Sequence, residues 1–243
     1  EEAPLYVDIL KDLARTYYLM GNYAEAFRLG RKAATFYLQY TTRKDWYANM
    51  LYDLSFYESD AGNYGEAIRL GTEALSIEEA LLGKAHPDII STLNNLASSH
   101  AKVGDYETAI RYGTEVLERQ KNVYGEEYPG NALYLNNLAE YYGCLEDYQK
   151  AIGLSWKALN LLEKAGETES KVYATVLYSL SHHYYRTGQY SPVIKAATEY
   201  ARIIEKLYGK NHPEYADVLN MLGFFAELQG KKEEAVRMYQ EAM

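Results

Sequence analysis

Two kinds of helical pattern alternate along this chain with a fixed period. In the first, two leucines three residues apart are followed at once by a small residue. The pairs are Leu10/Leu13, Leu51/Leu54, Leu93/Leu96, Leu135/Leu138, Leu177/Leu180 and Leu219/Leu222, and the small residues are Ala14, Ser55, Ala97, Ala139, Ser181 and Gly223. A spacing of three puts both leucines on one helical face, so each pair predicts a buried stripe that another helix can approach closely. In the second pattern an aromatic residue, Tyr23, Tyr64, Tyr106, Tyr148 or Tyr190, opens a helix with small inner positions. These are Ala26, Ala67, Ala109, Ala151 and Val193, then Gly30, Gly71, Gly113, Ser155 and Ala197. In the sixth copy Lys232 replaces the aromatic, followed by Ala235 and Tyr239. Glycine inside a helix costs about 0.5–1 kcal/mol relative to alanine, so three glycines at one repeat position predict tight backbone packing.

A turn joins the two patterns, as in Gly104-Asp105-Tyr106-Glu107-Thr108-Ala109. Its copies begin at Gly21, Gly62, Gly104, Glu146, Gly188 and Gly230, at spacings of 41, 42, 42, 42 and 42 residues. Glycine ends a helix by taking the left-handed conformation without a Cβ penalty. Glu146 therefore predicts a tighter or frayed turn in the fourth copy. Gly83, Gly125, Gly166 and Gly209 close the second helices in the same way. Pro4, Pro87, Pro129 and Pro213 each stand 17 residues before a turn anchor, with Asp45 and Lys171 at that place in the second and fifth copies. Proline suits the first helical turn, so these positions, like Pro192 after the fifth turn, predict helix starts. The connectors are short, as in Ala85-His86-Pro87 and Asn211-His212-Pro213, and Thr41-Thr42-Arg43-Lys44-Asp45 is the most polar. The predicted units are residues 4–44, 45–86, 87–128, 129–170, 171–212 and a truncated 213–243, forming one array over 1–243. Self-similarity at such a period is the mark of a solenoid.

The turn G-x-Y-x-x-A preceded by L-x-x-L-small resembles the tetratricopeptide repeat, whose usual unit is about 34 residues. Here each unit carries more, spent on longer helices and a connector. The phrases His86-Pro87-Asp88, Thr92-Leu93-Asn94-Asn95-Leu96-Ala97 and Leu135-Asn136-Asn137-Leu138-Ala139 resemble the 42-residue repeats of kinesin light chain. The resemblance covers essentially the whole chain. It implies an all-α fold, a right-handed α-solenoid of about six helix–turn–helix repeats. First helices would line a concave face and second helices the outer one. HEAT and armadillo repeats have similar periods, but their turns lack the G-x-Y-x-x-A pattern. The implied function is a non-catalytic protein–protein interaction scaffold holding a peptide or protein segment in the concave groove. Arg69-Leu70-Gly71-Thr72-Glu73-Ala74-Leu75 is similar to bacterial arrays that often adjoin a caspase-like peptidase of the CHAT type or a signalling ATPase. The alternative expectation is thus a regulatory or sensor region of a larger enzyme.

Two rows of residues point away from the leucines on the first helices. One residue after the first leucine of each pair stand Lys11, Tyr52, Asn94, Asn136, Tyr178 and Asn220. Two after the second stand Arg15, Phe56, Ser98, Glu140, His182 and Phe224. These twelve are the expected groove residues. Asparagine offers both a donor and an acceptor, to the backbone of an extended peptide or to the next helix. The aromatics offer stiff contact area, to a ligand or to a neighbouring repeat. Charges on this side are mixed: Lys11, Arg15, Lys102 and Arg186 against Asp53, Glu140 and Asp217.

Composition narrows the partners. The 243 residues carry a net charge of −9, with a pI of about 5.2, which argues against phosphate backbones and hence nucleic acid. No apolar run approaches the roughly 20 residues that span a bilayer, so no membrane insertion is expected. A single cysteine, Cys144, excludes an internal disulfide and fits a reducing, cytoplasmic compartment. The start at Glu1 and the stop at Met243 inside a helical pattern suggest a piece of a longer protein. An uncapped last unit leads us to expect self-association through the solenoid ends. Catalytic, metal and cofactor residues are not expected. His86 and His212 belong to connectors. His100 occupies the place held by Tyr17, Tyr142 and Tyr184 in other copies. His182 and His183 are adjacent, so they face different sides of a helix. Cys144 and His182 lie on successive first helices without a third group to complete a nucleophilic site. The mixed run Lys231-Lys232-Glu233-Glu234 reads as solvated surface.

Overall fold

Each leucine stripe and each tyrosine-led stripe folds into a helix, as the period demands. The computed structural model describes residues 3–40, 42–83 and 86–243; Thr41 and Ala85 of the connectors lie outside the described residues. Among these residues the protein is all-α, with twelve helices and no strand. First helices are α1 (Ala3–Leu19), α3 (Lys44–Asp60), α5 (Ile89–Lys102), α7 (Asn131–Cys144), α9 (Lys171–Arg186) and α11 (Pro213–Leu228). Second helices are α2 (Tyr23–Tyr40), α4 (Tyr64–Leu82), α6 (Tyr106–Tyr124), α8 (Tyr148–Lys164), α10 (Tyr190–Tyr208) and α12 (Lys232–Glu241). The array is an α-solenoid in two compact units, one ending at Val123 and the other starting at Tyr124. None of the described helices is long and apolar enough to cross a membrane.

All six turns share one hydrogen-bond scheme. At the third copy, Gly104 N–H donates to Ala101 O at 3.1 Å and Asp105 N–H to His100 O at 3.0 Å. The second bond reaches back five residues and satisfies a carbonyl that the helix end would leave orphaned. The residue after the anchor then caps the second helix: Asp105 Oδ1 accepts from Thr108 N, and Asp147 Oδ1 from Lys150 N. The fourth turn is neither tighter nor frayed. Glu146 N–H donates to Gly143 O at 3.0 Å and Asp147 N–H to Tyr142 O at 2.9 Å, as in the other copies. Glu146 itself takes the left-handed conformation at φ 61°, alone among the described non-glycine residues. The two closing bonds and the Asp147 cap hold it there despite its Cβ.

The core follows the small-residue ruler. Ala26, Ala67, Ala109, Ala151 and Val193 are fully buried. A Cβ on Gly30 would stand 2.7 Å from Leu54 Cδ2, and one on Gly71 would stand 2.9 Å from Ser55 Oγ and 3.0 Å from Leu96 Cδ2. The second helix of one repeat thus lies against the second leucine of the next repeat's first helix. Leu13 departs from the expectation of a buried pair. It is 42% exposed while Leu54 and Leu96 are sealed, because no preceding second helix covers it among the described residues. The turn tyrosines pack at the edge, and Tyr190 is 47% exposed, resting on Phe225 at 5.7 Å between ring centroids.

Proline marks the helix starts less directly than the spacing suggests. Pro213 is the first residue of α11, but Pro87 and Pro129 stand two residues ahead of α5 and α7. Their carbonyls accept from Ile90 N and Ala132 N, each at 3.0 Å, so they begin a tight turn that leads into the helix. Buried Asn131 fastens the fourth connector by donating to Gly125 O at 2.9 Å and Glu126 O at 3.1 Å.

Replacing Glu146 by glycine relieves the left-handed strain, offset in part by the freer unfolded chain, and should stabilise the fold by about 0.5–1 kcal/mol in chemical denaturation. The exposed pair of Glu146 with Arg186, at 3.4 Å, contributes little. Gly104→Ala, at φ 84°, should cost about 1 kcal/mol in the same assay.

Candidate functional site

The structure treats the two expected rows unequally. In the first unit Lys11, Tyr52, Asn94 and Ser98 are half-buried, Arg15 is exposed and Phe56 is 40% exposed. In the second unit Tyr178, Asn220, His182 and Phe224 are exposed and Glu140 is half-buried. Asn136 is drawn inside, at 4% exposure. It lines a cleft of about 210 Å³ with Leu133, Val172 and Val176, at the seam between α7 and α9. First helices pack directly on one another there, so Asn136 is not a free groove residue. A different asparagine makes the cross-repeat bond. Asn95 Nδ2 donates to Ser55 Oγ at 2.8 Å, and Ser55 Oγ donates to Ala67 O at 2.7 Å, linking α5, α3 and α4.

Lys11 and Arg15 have a counterpart in Asp53. Burial pushes the Asp53 carboxyl up to about 6, against the opposing pull of Lys11 and then Arg15. Glu140 in the second unit stands over His183, with Oε1 3.6 Å from Nε2. His183 is buried against Gly143, where an added Cβ would lie 2.6 Å from its Cε1. Burial lowers its pKa, with Glu140 pulling the other way. His182 and His183 do face opposite sides, one exposed and one sealed.

The largest concavity in the first unit, about 660 Å³ at the turn edge, is already internally satisfied. Arg31 Nη2 and Asn63 Nδ2 both donate to Glu58 there, at 3.0 and 2.8 Å. Two other grooves recur at the same repeat position. In the second unit a groove of about 580 Å³ is framed by Tyr178 on α9, Tyr200 and Ile204 on α10, and Asp217 and Met221 on α11. In the first unit a groove of about 430 Å³ is framed by Tyr52 on α3, Glu78 and Leu82 on α4, and Asp88 and Thr92 at the start of α5. The lining positions correspond across 126 residues, three 42-residue periods: Tyr52 with Tyr178, Ala48 with Ala174, Asn49 with Thr175, Asp88 with Glu214. Each groove is a wedge between two successive first helices and the second helix joining them, at the end away from the G-x-Y turn.

Of the twelve expected residues, only Tyr52 and Tyr178 line these wedges. The other walls come from the ends of second helices and the starts of first helices, outside the two expected rows. In the second unit the Tyr178 and Tyr200 rings approach to 5.5 Å. Tyr200 Oη donates to Glu214 Oε2 at 2.7 Å, and burial followed by that bond raises the phenol pKa. The groove therefore presents an oriented aromatic pair with Met221, and polar groups at its rim. The surface thus sets ring faces beside hydrogen-bonding side chains, among them Lys171, Thr175 and Asp217. Among the described residues no three His, Cys, Asp or Glu side chains converge on a possible metal position, and Cys144 is an exposed thiol.

Tetratricopeptide repeat profiles match residues 46–121 and 88–164, and others of the same description match 8–39 and 216–243. No curated protein matches the chain significantly in sequence. Several solved structures share the fold. BtubC (BKLC) from P. vanneervenii is 20% identical, with a TM-score of 0.72 over 91% of this chain and 87% of its own. The apo form of RapI is 15% identical, with a TM-score of 0.73 over 98% and 96%. A Podosopora anserina putative kinesin light chain with nearly identical TPR-like repeats is 19% identical, with a TM-score of 0.67 over 80% and 92%.

The Asp53 environment gives a pH signature. The unfolded carboxyl loses its proton near 3.8 and the folded one near 6. Between those values the folded state binds more protons, so this group's contribution to stability falls as pH rises through the window. Asp53→Asn should remove that slope and raise stability at neutral pH by about 1–3 kcal/mol, read by thermal and urea unfolding at pH 4 and pH 7.

Proposed function

This chain belongs to the tetratricopeptide repeat family, and we propose that it is a protein-interaction scaffold that holds an extended peptide segment of a partner in the wedge grooves beside its first helices. The observation that carries this reading is the recurrence of one groove, with a tyrosine at the same place, three periods apart in the sequence. Core packing explains why leucines and alanines recur. It does not require Tyr178, which is 55% exposed, to keep a ring at the mouth of an open groove. Aromatic residues with a satisfied neighbour and little rotamer freedom are frequent anchors of binding energy. The mixed polar rim, with Lys171, Thr175, Glu214 and Asp217, suits the alternating donors and acceptors of an extended backbone.

The similar solved structures include a putative kinesin light chain and RapI, and their likeness supports a repeat scaffold. The choice of groove and of a peptide ligand rests on this chain's own surface. Tyr178 is more than half exposed and touches the core through Tyr200, so Tyr178→Ala should melt within a few degrees of the parent. Short peptides selected from a random display library on the intact chain should bind Tyr178→Ala or Tyr52→Ala at least about tenfold more weakly by fluorescence anisotropy. Selected peptides that bind both variants at parental affinity would show that the grooves are not the site.

A further inference from the structure

The two grooves are alike in position and opposite in chemistry. In the second unit, the position deep on the second helix is Ile204, and the next first helix contributes Val218 and Met221. In the first unit those places are Glu78 and Thr92, and the first-helix position held by Lys171 is Asp45. Among the described residues, the first-unit groove is therefore lined by three carboxylates, Asp45, Glu78 and Asp88, and by no lysine or arginine.

The three carboxylates are not equivalent. Asp45 is clasped by Arg43, with Nε 2.9 Å from Oδ1 and Nη2 2.6 Å from Oδ2. Its charge is neutralised at the rim. Asp88 is exposed, and its basic neighbour among the described residues is His86, with Nδ1 at 3.7 Å. Glu78 is 93% buried, the complement of its 7% exposure, and forms the groove's inner wall. Thr92 Oγ1 donates to Glu78 Oε1 at 3.1 Å, while Oε2 has no hydrogen-bond partner. Burial raises the Glu78 pKa, Thr92 lowers it, and the nearby charge of Asp88 raises it again.

A carboxylate placed inside a groove with one oxygen unmatched is costly unless a donor reaches it. Nothing in the packing of α4 calls for one, since Ile204 fills the same position three repeats later. Oε2 is itself sealed from solvent, so a donor reaches it only as the Glu78 side chain turns toward the groove of about 430 Å³, and the carboxylate of Asp88 beside it favours a donor that carries positive charge on a long reach. Lysine and arginine side chains meet both needs, and their aliphatic stems pack along apolar or aromatic walls such as Leu82 and Tyr52. A bound metal ion does not, since no three ligating side chains converge among the described residues. We propose that the first-unit groove takes a lysine or arginine side chain of the partner peptide, with Glu78 and Asp88 meeting the charge and Tyr52 covering the stem. This assignment rests on the groove reading above and names the residue type that the groove selects.

The test uses the same display-selected peptides on the intact chain. Those whose binding drops on Tyr52→Ala should share a lysine or arginine. Exchanging that residue for norleucine should weaken binding to the parent at least about tenfold, and by less than about twofold on the double variant Glu78→Gln, Asp88→Asn. Binding to the parent should also weaken steeply with added salt. Glu78→Gln is isosteric and removes a buried charge, so melting at least as high as the parent is expected and confirms an intact groove. If peptides lose affinity on Tyr52→Ala yet tolerate norleucine, the groove binds peptides and the cation assignment is wrong. If they ignore Tyr52→Ala and Tyr178→Ala alike, or if no peptide is enriched, the groove reading fails and this assignment with it.

Discussion

The contact between a small residue on a second helix and a leucine on the next first helix is what the architecture depends on. Gly30 against Leu54 and Gly71 against Leu96 are so close that a methyl group would displace the leucine. In a solenoid each repeat touches only its neighbours, so stability is a sum of such interfaces. The half-exposed Leu13 shows what one missing interface does. The same leucine, on the same helical face, keeps its pattern and loses its burial. Within each unit, the turn scheme supports this contact by fixing where the second helix begins. Its two backbone bonds are strong enough to be kept even where glutamate replaces glycine.

The grooves are a consequence of that contact. The small residues hold the helices together at Gly30 and Gly71, and the grooves open toward the connector end of the helix pairs. Tyr52, Glu78 and Asp88 frame one such wedge, and Tyr178, Ile204 and Glu214 the other. Because the backbone repeats, the wedge repeats. The backbone geometry recurs while the lining chemistry differs from unit to unit, even at buried wall positions such as Glu78 and Ile204. One wedge is anionic with a buried, half-satisfied carboxylate; the other is apolar and aromatic. A repeated scaffold with position-specific lining is a way to recognise different side chains with one geometry.

Much of this was legible before any coordinates. The helix pairs, the buried leucines from the second repeat onward, the small interior positions and the opposite facing of His182 and His183 all follow from period and spacing. The binding side was only partly legible. Of the groove expectations, Tyr52 and Tyr178 stand at the wedges, Tyr52 half-buried against the core and Tyr178 exposed, whereas Asn136 is buried because the seam between α7 and α9 closes over its position. Glu78 and Glu214 escaped notice, Asp88 entered only as part of a connector phrase, and Asp217 only in the charge balance of that side. A period read along one helix cannot show which residues of three different helices face a common space. Pro87 and Pro129, unlike Pro213, stand one short turn ahead of their helices for a similar reason: a tight turn and the first turn of a helix share their backbone angles.

By itself the sequence determined that this protein is a helical repeat array of the tetratricopeptide kind. A 42-residue recurrence of leucines, small residues and turn glycines has no other economical way to bury its apolar face. The tertiary structure alone decided where the array opens and what each opening presents. Burial and charge at residues such as Asp53 and Asn136 are set by neighbours on the adjacent repeat, Lys11 and Arg15 for the one and Val172 and Val176 for the other, and local pattern carries no record of that distance.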